Sequence, residues 1–326
     1  MPDIDDSDEF GAADLAAHAH ARLAAWWAAE ARDLPWRFGR ATPWGVLVSE
    51  VMSQQTQMSR VVPYWEAWME AWPDAAALAG ASTAEVITAW GRLGYPRRAL
   101  RLQECARVVA ERYGGRLPND YDALVALPGV GDYTASAVIS FAYGGRIPVV
   151  DTNVRRVLSR VFLGVESRGG AASARERRLA ADVLPEDGPE DGPGGGAGDG
   201  GGSGSREAPS VVWNQAVMEL GAVVCTAKAP LCGRCPLADV CRFAAAGLPG
   251  LGERRTRPRQ RFQGTDRQVR GIVLDALRHA PAGATLPRGR VEALWPDRAQ
   301  LDACIASLDE DGLLCIEPGG GLRLPA

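Results

Sequence analysis

Four of the seven cysteines lie within 17 consecutive positions near residue 230. Their spacing runs Cys225-x6-Cys232-x2-Cys235-x5-Cys241. Four thiolates at such a spacing can surround one iron–sulfur cluster or one zinc ion. Structural zinc sites usually contain two tight cysteine pairs, and only one is present here, so the pattern favours the cluster and leaves zinc as the second interpretation. Ordinary packing accounts for the remaining cysteines, which are Cys105, Cys304 and Cys315.

A glycine-rich segment, Leu-Pro-Gly-Val-Gly at 127–131, lies between two short predicted helices. Glycines allow a tight turn and let backbone amides approach an anion closely, and the N-terminus of the following helix adds partial positive charge. The segment therefore predicts a phosphate-binding hairpin in which Gly129 and Gly131 are binding residues. A simple turn between two helices is the alternative for the same residues.

Two acidic residues stand in surroundings that suit acid–base chemistry. Asp151 comes where a helix is predicted to begin, so the helix dipole favours its anion; a plain N-cap is the alternative. Glu50 interrupts an apolar run, and partial burial would raise the pKa of its carboxyl; the solvated face of an amphipathic helix is the alternative. A carboxyl that protonates a leaving group and another that stabilises an oxocarbenium-like cation together suit cleavage of a glycosidic bond.

The elements that carry these residues are predicted to be helices. Apolar side chains recur at helical spacing, and short turns rich in Gly, Pro and Asp separate the repeats. The predicted helices cover residues 12–30, 46–72, 83–90, 97–113, 123–127, 133–143, 152–163, 174–184 and 211–224. Since no pattern typical of a sheet precedes residue 240, the fold class is all-α, with one domain at 12–247.

Three further segments complete the predicted organisation. Residues 186–206 are dominated by glycine and bury too little apolar surface to offset their ordering entropy, so we expect a flexible insertion. Residues 248–264 form an Arg/Pro-rich linker, whose five arginines at 254–261 either track phosphates or are simply solvated. Residues 265–326 predict three helices and two short strands, which indicates a small winged-helix-like module.

Charge and composition limit the function classes. The formal net charge is -4, which by itself argues against a nucleic-acid partner. However, residues 1–14 hold six acids and no base, and residues 182–207 hold seven acids and one arginine, so these segments carry -12 and the remainder carries +8. We expect residues 1–11 to be a disordered acidic tail on a basic folded body. Three histidines nearly exclude a histidine-based triad, and the lack of a signal peptide or long apolar run predicts a cytoplasmic protein without a membrane partner.

In their order along the chain, these motifs resemble the helix-hairpin-helix DNA glycosylase superfamily, and within it the adenine DNA glycosylase (MutY) branch. The resemblance covers roughly residues 12–245. It rests on Leu-Pro-Trp-Arg at 34–37, Ser-Glu-Val-Met-x-Gln-Gln-Thr-Gln at 49–57, Gly-Arg-Leu-Gly-Tyr at 91–95, the glycine hairpin, Val-Asp-Thr-Asn-Val at 150–154, Asn-Gln-Ala-Val-Met-Glu-Leu-Gly at 214–221 and the four cysteines. It implies two helical subdomains and a structural 4Fe–4S cluster that positions nearby arginines, Arg234 and Arg242, toward phosphates.

The resemblance also implies residue roles. Glu50 is the expected general acid, which protonates adenine N7 and later helps water add to the sugar. Asp151 is expected to stabilise the cation at the anomeric carbon, through its charge or by transient covalent attack, with Tyr133 and Asn153 in support. The expected adenine pocket contains Trp36, Arg37 and Glu219. The residues expected to contact DNA where the adenine leaves the stack are Gln55, Thr56, Leu93 and Tyr95.

One position indicates the reaction subtype. In the related endonuclease III branch a lysine follows the hairpin and forms a Schiff base with the sugar. Here that position is Tyr133, and Lys228 is the only lysine of the chain. The resemblance therefore implies a monofunctional, monomeric glycosylase that acts on duplex DNA with adenine opposite 8-oxoguanine or guanine and leaves an abasic site.

Departures from the family pattern leave alternatives open. Ser53 stands where leucine is usual and Thr152 where glycine is common, and residues 265–326 are too short for the Nudix-like domain that inspects the opposing 8-oxoguanine. A thymine mismatch glycosylase of the same superfamily is one alternative, against which Glu219 and the Gln-Gln-Thr segment argue. The other is a non-catalytic iron–sulfur DNA-binding protein, against which the two carboxyls argue, because phosphate neighbours disfavour spare anions.

Overall fold

The computed structural model describes residues 9–167, 170–188, 207–253 and 262–326, and nearly all regular structure in them is helical. Most of the predicted acidic tail, most of the glycine-rich insertion and the five arginines at 254–261 lie outside these residues. None of the helices described is both long and apolar enough to cross a membrane. The described residues form two compact units that interleave along the chain.

The described residues form a succession of helices that is followed by two short strands. In chain order the helices are α1 (Glu9–Glu30), α2 (Pro43–Ser53), α3 (Met58–Ala71), α4 (Ala75–Gly80), α5 (Thr83–Trp90), α6 (Arg97–Tyr113), α7 (Tyr121–Val125), α8 (Asp132–Tyr143), α9 (Thr152–Leu163), α10 (Ala174–Asp182), α11 (Pro209–Val223), α12 (Arg242–Ala245), α13 (Asp266–Arg278), α14 (Arg288–Glu292) and α15 (Arg298–Glu310). The strands are β1 (Cys315–Ile316) and β2 (Leu322–Arg323), and a 3-10 turn spans Cys232–Arg234. The bounds of α5, α6 and α9 coincide with the predicted ones.

The prediction of one continuous helix at 46–72 is wrong. The chain forms α2 and α3, which a break at 54–57 separates. Gln55 in this break has a φ of +56°, a left-handed conformation that ends a right-handed helix. Apolar residues at helical spacing continue on both sides, so the pattern conceals the break. Helix α4, which was absent from the predicted set, begins where the Asp74 side chain accepts a hydrogen bond from the Ala77 N–H at 2.8 Å.

Unit one takes its residues from Met1–Pro43, Asn119–Tyr121 and Gly131–Thr256. Helices α1, α9 and α11 share its apolar core, which includes Trp27, Val157 and Leu220. The buried apolar residues of α9 recur every three or four positions, as expected for a helix with one face on a core. This packing fixes the N-terminus of α9, where Asp151 lies, and the end of α11, where the cysteine loop begins.

Unit two takes its residues from Trp44–Pro118, Asp122–Val130 and Arg257–Ala326. Its last part, which we call the C-terminal module (residues 262–326), contains α13–α15 and the antiparallel pair β1–β2, with an isolated bridge between Leu286 and Leu322. These three helices and two strands are the elements that the sequence predicts for this region. Its core also includes Ile87 of α5, so the module is part of unit two.

Candidate active site

Asp151 is the N-cap of α9 and is partly exposed. Its Oδ1 accepts a hydrogen bond from the Val154 N–H at 2.6 Å, and its Oδ2 accepts one from Asn153 Nδ2 at 2.8 Å. Burial raises the pKa of the Asp151 carboxyl, and these hydrogen bonds and the charge of Arg156 offset that effect only in part. The sequence left an N-cap and a reactive carboxylate as alternatives. The geometry shows that Asp151 is an N-cap through Oδ1, and that its Oδ2 accepts a separate hydrogen bond from Asn153.

The chain before Asp151 is fixed by Asn214 of α11. The Asn214 Oδ1 accepts a hydrogen bond from the Val149 N–H at 3.2 Å, and its Nδ2 donates to Ile147 O at 2.8 Å. Gly221 lies two helical turns after Asn214 on α11. It lets α11 approach the start of α9, since a Cβ at position 221 would lie 2.7 Å from the Asn153 Cβ. The motif at 214–221 thus supplies an amide that fixes the loop and a glycine that admits Asn153.

Arg156 connects Asn153 with the cysteine loop. Its Nη2 donates to Asn153 Oδ1 and to Gly221 O, both at 2.7 Å, and its Nε donates to Cys225 O at 2.8 Å. Because Arg156 occupies the oxygen end of the Asn153 amide, the NH2 end points to Asp151. Sequence reasoning missed Arg156. Its position one turn after an N-cap is a weak signal, and its partners in α11 and the cysteine loop lie 65 and 69 residues away.

The four cysteines line one cavity, whose wall is otherwise mostly apolar. None of these four cysteines forms a disulfide bond: Cys225, Cys232, Cys235 and Cys241. Arg160 is the charged residue of this wall; its Nη1 donates to the Cys225 Sγ at 3.3 Å, and it forms an ion pair with Glu166. Among the described residues no group of ligands converges on a single metal ion, whereas four sulfurs around an apolar cavity suit a larger cluster of iron and sulfide. The predicted phosphate-directed residues, Arg234 and Arg242, are both exposed.

Glu219 of α11 is buried between two arginines. The Arg32 guanidinium donates to both carboxylate oxygens, from Nε and, at 2.8 Å, from Nη2, and Arg37 Nη2 donates to Oε2 at 2.7 Å. Burial alone would raise the pKa of Glu219, but the hydrogen bonds from Arg32 and Arg37 outweigh it and lower the pKa. Two predicted pocket residues, Arg37 and Glu219, are thus in contact, and Trp36 is partly buried beside them in the chain. Arg32 is a partner that sequence reasoning missed.

Glu50 lies on α2 with only 9% of its surface exposed. Its neighbours along the helix are also buried, and Ser49 satisfies its hydroxyl by donating to Val46 O at 2.8 Å. This burial excludes the alternative of a solvated helix face.

Two of the residues expected to meet DNA share an unusual backbone conformation. Gln55 and Tyr95 are exposed and have φ values of +56° and +48°. A non-glycine residue in this region costs on the order of 1–3 kcal/mol, and such residues concentrate at functional sites. Leu93, in contrast, is buried, and its carbonyl accepts a hydrogen bond from Thr56 Oγ1 at 3.5 Å. Within the wedge segment (residues 91–95), the exposed side chain of Tyr95 therefore projects, whereas that of Leu93 packs inside.

The glycine hairpin has the conformation that its composition predicts. Gly129 has a φ of +77°, and a Cβ there would lie 3.1 Å from the Arg101 Cβ, so both the turn and the packing favour glycine. Gly131 is the N-cap of α8 and is exposed, with no side chain capping the helix. Tyr133, in the first turn of α8, donates its hydroxyl to the Met218 Sδ at 3.8 Å.

Comparison with known proteins gives two family matches and several close relatives. The model of the HhH-GPD superfamily of base excision DNA repair proteins matches residues 48–180, and that of the iron–sulfur binding domain of endonuclease III matches residues 225–241. An adenine DNA glycosylase of Mycolicibacterium smegmatis is 47% identical over 90% of this chain and 91% of that protein, and one of Mycobacterium tuberculosis is 44% identical over 93% and 92%. The chain belongs to the adenine DNA glycosylases.

As an adenine DNA glycosylase, the protein is a base-excision repair enzyme, a glycosidase that acts on DNA. The interpretation as a non-catalytic DNA-binding protein is therefore wrong. The cysteine loop is the iron–sulfur binding domain, so its four cysteines hold a 4Fe–4S cluster, and zinc is excluded as the second interpretation. The fold agrees with a thermostable thymine-DNA glycosylase, which aligns with a TM-score of 0.60 and 25% identity over 72% of this chain and 98% of that one.

In this adenine DNA glycosylase Arg98 holds two loops together, a role that sequence reasoning missed. Its Nη1 donates to Val51 O and Gln54 O, both at 2.7 Å, and its Nη2 donates to Gly94 O at 3.1 Å. The guanidinium also lies 5.6 Å from the centre of the Tyr95 ring. Arg98 thereby ties the end of α2 to the wedge segment.

Proposed function

We propose that the enzyme, acting as a monomer, hydrolyses the N-glycosidic bond of adenine that stands opposite 8-oxoguanine or guanine in duplex DNA, and leaves an abasic site. The observation that carries the proposal is the contrast between its two carboxyls. Glu50 is buried on an apolar helix, whereas Asp151 is partly exposed and each of its two carboxylate oxygens accepts a hydrogen bond. Such a contrast separates a proton donor from a stabilising anion.

In the proposed first step, Glu50 donates its proton to adenine N7. The bond between the sugar and adenine N9 then breaks, and its electron pair leaves with the neutral adenine. Burial suits Glu50 to this role, because its carboxyl lies on an apolar helix with little access to bulk water. Water then adds to the sugar and returns a proton to the Glu50 carboxylate, which regenerates the acid.

Asp151 is the proposed stabiliser of the cation that forms at the anomeric carbon. Its two carboxylate oxygens are oriented by Val154 and Asn153, so the negative charge needs no reorganisation as the cation develops. Tyr133 and Asn153 are proposed to support this site. The orientation of Asn153 depends in turn on Arg156, as its hydrogen bond to Oδ1 indicates.

Recognition of the extruded adenine is assigned to Trp36, Arg37 and Glu219. The buried, ionised Glu219 is paired with Arg32 and Arg37 and orients these two guanidinium groups, which donate hydrogen bonds. The residues proposed to contact DNA around the extruded base are Gln55, Thr56 and Tyr95; Leu93, which the sequence also assigns to this contact, is buried within the protein. Gly129, Gly131 and the uncapped start of α8 are proposed to bind a backbone phosphate.

The absence of a lysine after the hairpin supports a monofunctional reaction. Tyr133 occupies that position, and the single lysine, Lys228, is exposed in the cysteine loop. A Schiff base with the sugar requires an amine, which this position lacks.

The test is base release from a set of duplexes with adenine opposite 8-oxoguanine, guanine, cytosine or thymine, together with a thymine:guanine duplex. We expect free adenine from the first two, and strand breaks only after alkali treatment. Release of thymine alone, or strand cleavage without alkali, would contradict the proposal.

A further inference from the structure

The helices on both sides of the wedge segment pack against the C-terminal module. Ile87, in the last turn of α5, is fully buried in the core of the module, and Leu100 of α6 packs against the same core. Arg92, within the segment, forms an ion pair with Asp275 of α13 at 2.9 Å. The module therefore contacts the segment itself and both helices that carry it.

A positively charged side chain of the module also lies against the ring of Tyr95. The Arg267 guanidinium of α13 lies 5.8 Å from the centre of the Tyr95 ring, which is within the range of a cation–π contact. Arg267 is exposed and forms no ion pair with any acid in the part of the chain that the structure describes. Tyr95 is itself 54% exposed. An arginine charge thus stands unneutralised at the side chain that enters the base stack.

The rest of the module does not have the charge of a DNA-reading domain. Residues 262–326 contain nine acids and seven arginines. Helix α15, which takes the place of the third helix of a winged-helix fold, holds three acids and one arginine. Several of the arginines are already paired within the module, including Arg288, Arg298 and Arg323. Phosphates would be repelled from α15, so the contribution of the module lies at the wedge segment.

We propose that the C-terminal module is part of the machinery that extrudes the base: it holds the wedge segment in position, and Arg267 binds the DNA backbone phosphate next to the site where Tyr95 enters the stack. This rests on the proposed function, in which Tyr95 contacts DNA where the adenine leaves. Arg267 acts as a positioning residue, because it binds phosphate and orients the ring without touching the reacting atoms.

The test compares Arg267→Ala with Arg290→Ala in the full-length protein. Arg290 is the matched control, because it is an exposed arginine of the same module outside the wedge contact. We measure the Kd for a duplex that carries 2-aminopurine beside the target adenine, over a series of salt concentrations, and the fluorescence rise as that base unstacks. Arg267→Ala should raise the Kd about fivefold, reduce the slope of log Kd against log salt by about one and weaken the fluorescence rise. Arg290→Ala should leave all three unchanged.

Further variants separate charge from orientation. Arg267→Lys keeps the charge without the planar guanidinium, so it should restore the salt slope but not the full fluorescence rise. Arg92→Ala and Asp275→Ala should each weaken the fluorescence rise, and the double variant should be no worse than either single one. Equal behaviour of Arg267→Ala and Arg290→Ala would overturn the proposal. The Kd and the fluorescence rise are measured without base release. Release of a base other than adenine would therefore refute the proposed function, while the comparison of Arg267→Ala with Arg290→Ala would still test this proposal.

Discussion

The surroundings of Asp151 and the wedge segment are built in opposite ways. Around Asp151, the carboxylate, the Asn153 amide and the Arg156 guanidinium each have assigned partners at 2.6–2.8 Å. At the wedge segment, Tyr95 is exposed, its backbone is left-handed and its ring meets guanidinium groups rather than a core. One region is therefore preorganised by hydrogen bonds within the protein, while the other leaves an aromatic ring exposed.

This difference predicts a division of labour. Changes near Asp151 should alter the rate of bond cleavage and leave DNA affinity unchanged, because its groups address charge that develops in the transition state. Changes at the wedge segment should alter affinity and unstacking, because a stacked ring contributes as soon as DNA is bound.

Asp151→Asn should give the largest loss of the four variants. Asparagine is as good an N-cap as aspartate, so α9 should keep its stability, while the negative charge is lost. We expect single-turnover adenine release to fall about 10²–10³-fold with little change in Kd. Asp74→Asn, the same exchange at the N-cap of α4, is the control and should change neither value. A large rise in Kd for Asp151→Asn would contradict the prediction that changes near Asp151 affect the cleavage rate and not DNA affinity.

Tyr95→Ala should mainly weaken DNA binding. Loss of a stacked ring costs about 1–3 kcal/mol, which corresponds to a rise in Kd of about tenfold or more. Phe262→Ala removes an equally exposed aromatic ring outside the wedge segment and serves as the control in the same titration. If Tyr95→Ala slowed bond cleavage at saturating enzyme and left the Kd unchanged, the assignment of the two regions would be reversed.

Arg98→Gln should lower the stability of the fold near the wedge segment. The shorter side chain loses the charged hydrogen bonds to Val51 O and Gly94 O, at a cost of about 1–3 kcal/mol in the free energy of unfolding. Urea unfolding followed by circular dichroism measures this. Arg101→Gln, on the same helix, should have a smaller effect; equal effects would show that Arg98 is not the residue that ties the two loops.

Asn153→Ala should shift the pH dependence of bond cleavage. Burial raises the pKa of Asp151 and Asn153 lowers it, so removal of Asn153 should raise the pKa further. Because the reaction needs the ionised carboxylate, its acid limb should move to higher pH. Single-turnover rates across pH at saturating enzyme measure the limb, and Thr152→Ala, in the same turn, should leave it in place. A shift to lower pH would contradict the role given to the Asn153 amide.

The sequence predicts the local features well. Helix bounds follow from apolar periodicity, the N-cap at Asp151 follows from residue type and position, and the cysteine loop is recognisable because its ligands are close in the chain. Side-chain contacts between elements that are far apart in the chain are harder to predict. Arg32, Arg98 and Arg156 act through partners up to 187 residues away, which no local pattern identifies.

Two errors of the sequence interpretation have specific physical causes. The break at Gln55 was concealed because the apolar periodicity of α2 continues in α3, and only the backbone conformation distinguishes the two helices. The packing of the C-terminal module was not predicted because Ile87 reads as an ordinary core residue of α5. That it shares a core with Val273 and Leu277 is evident only from the fold.

The central claim is that Glu50 and Asp151 divide the chemistry of adenine removal, and Glu50→Gln tests it most directly. The measurement is adenine release from an adenine:8-oxoguanine duplex under single-turnover conditions, with the Kd measured in parallel. Loss of the proton donor should slow release about 10²–10⁴-fold while the Kd stays within about twofold. Adenine release by Glu50→Gln at the wild-type rate would contradict the account.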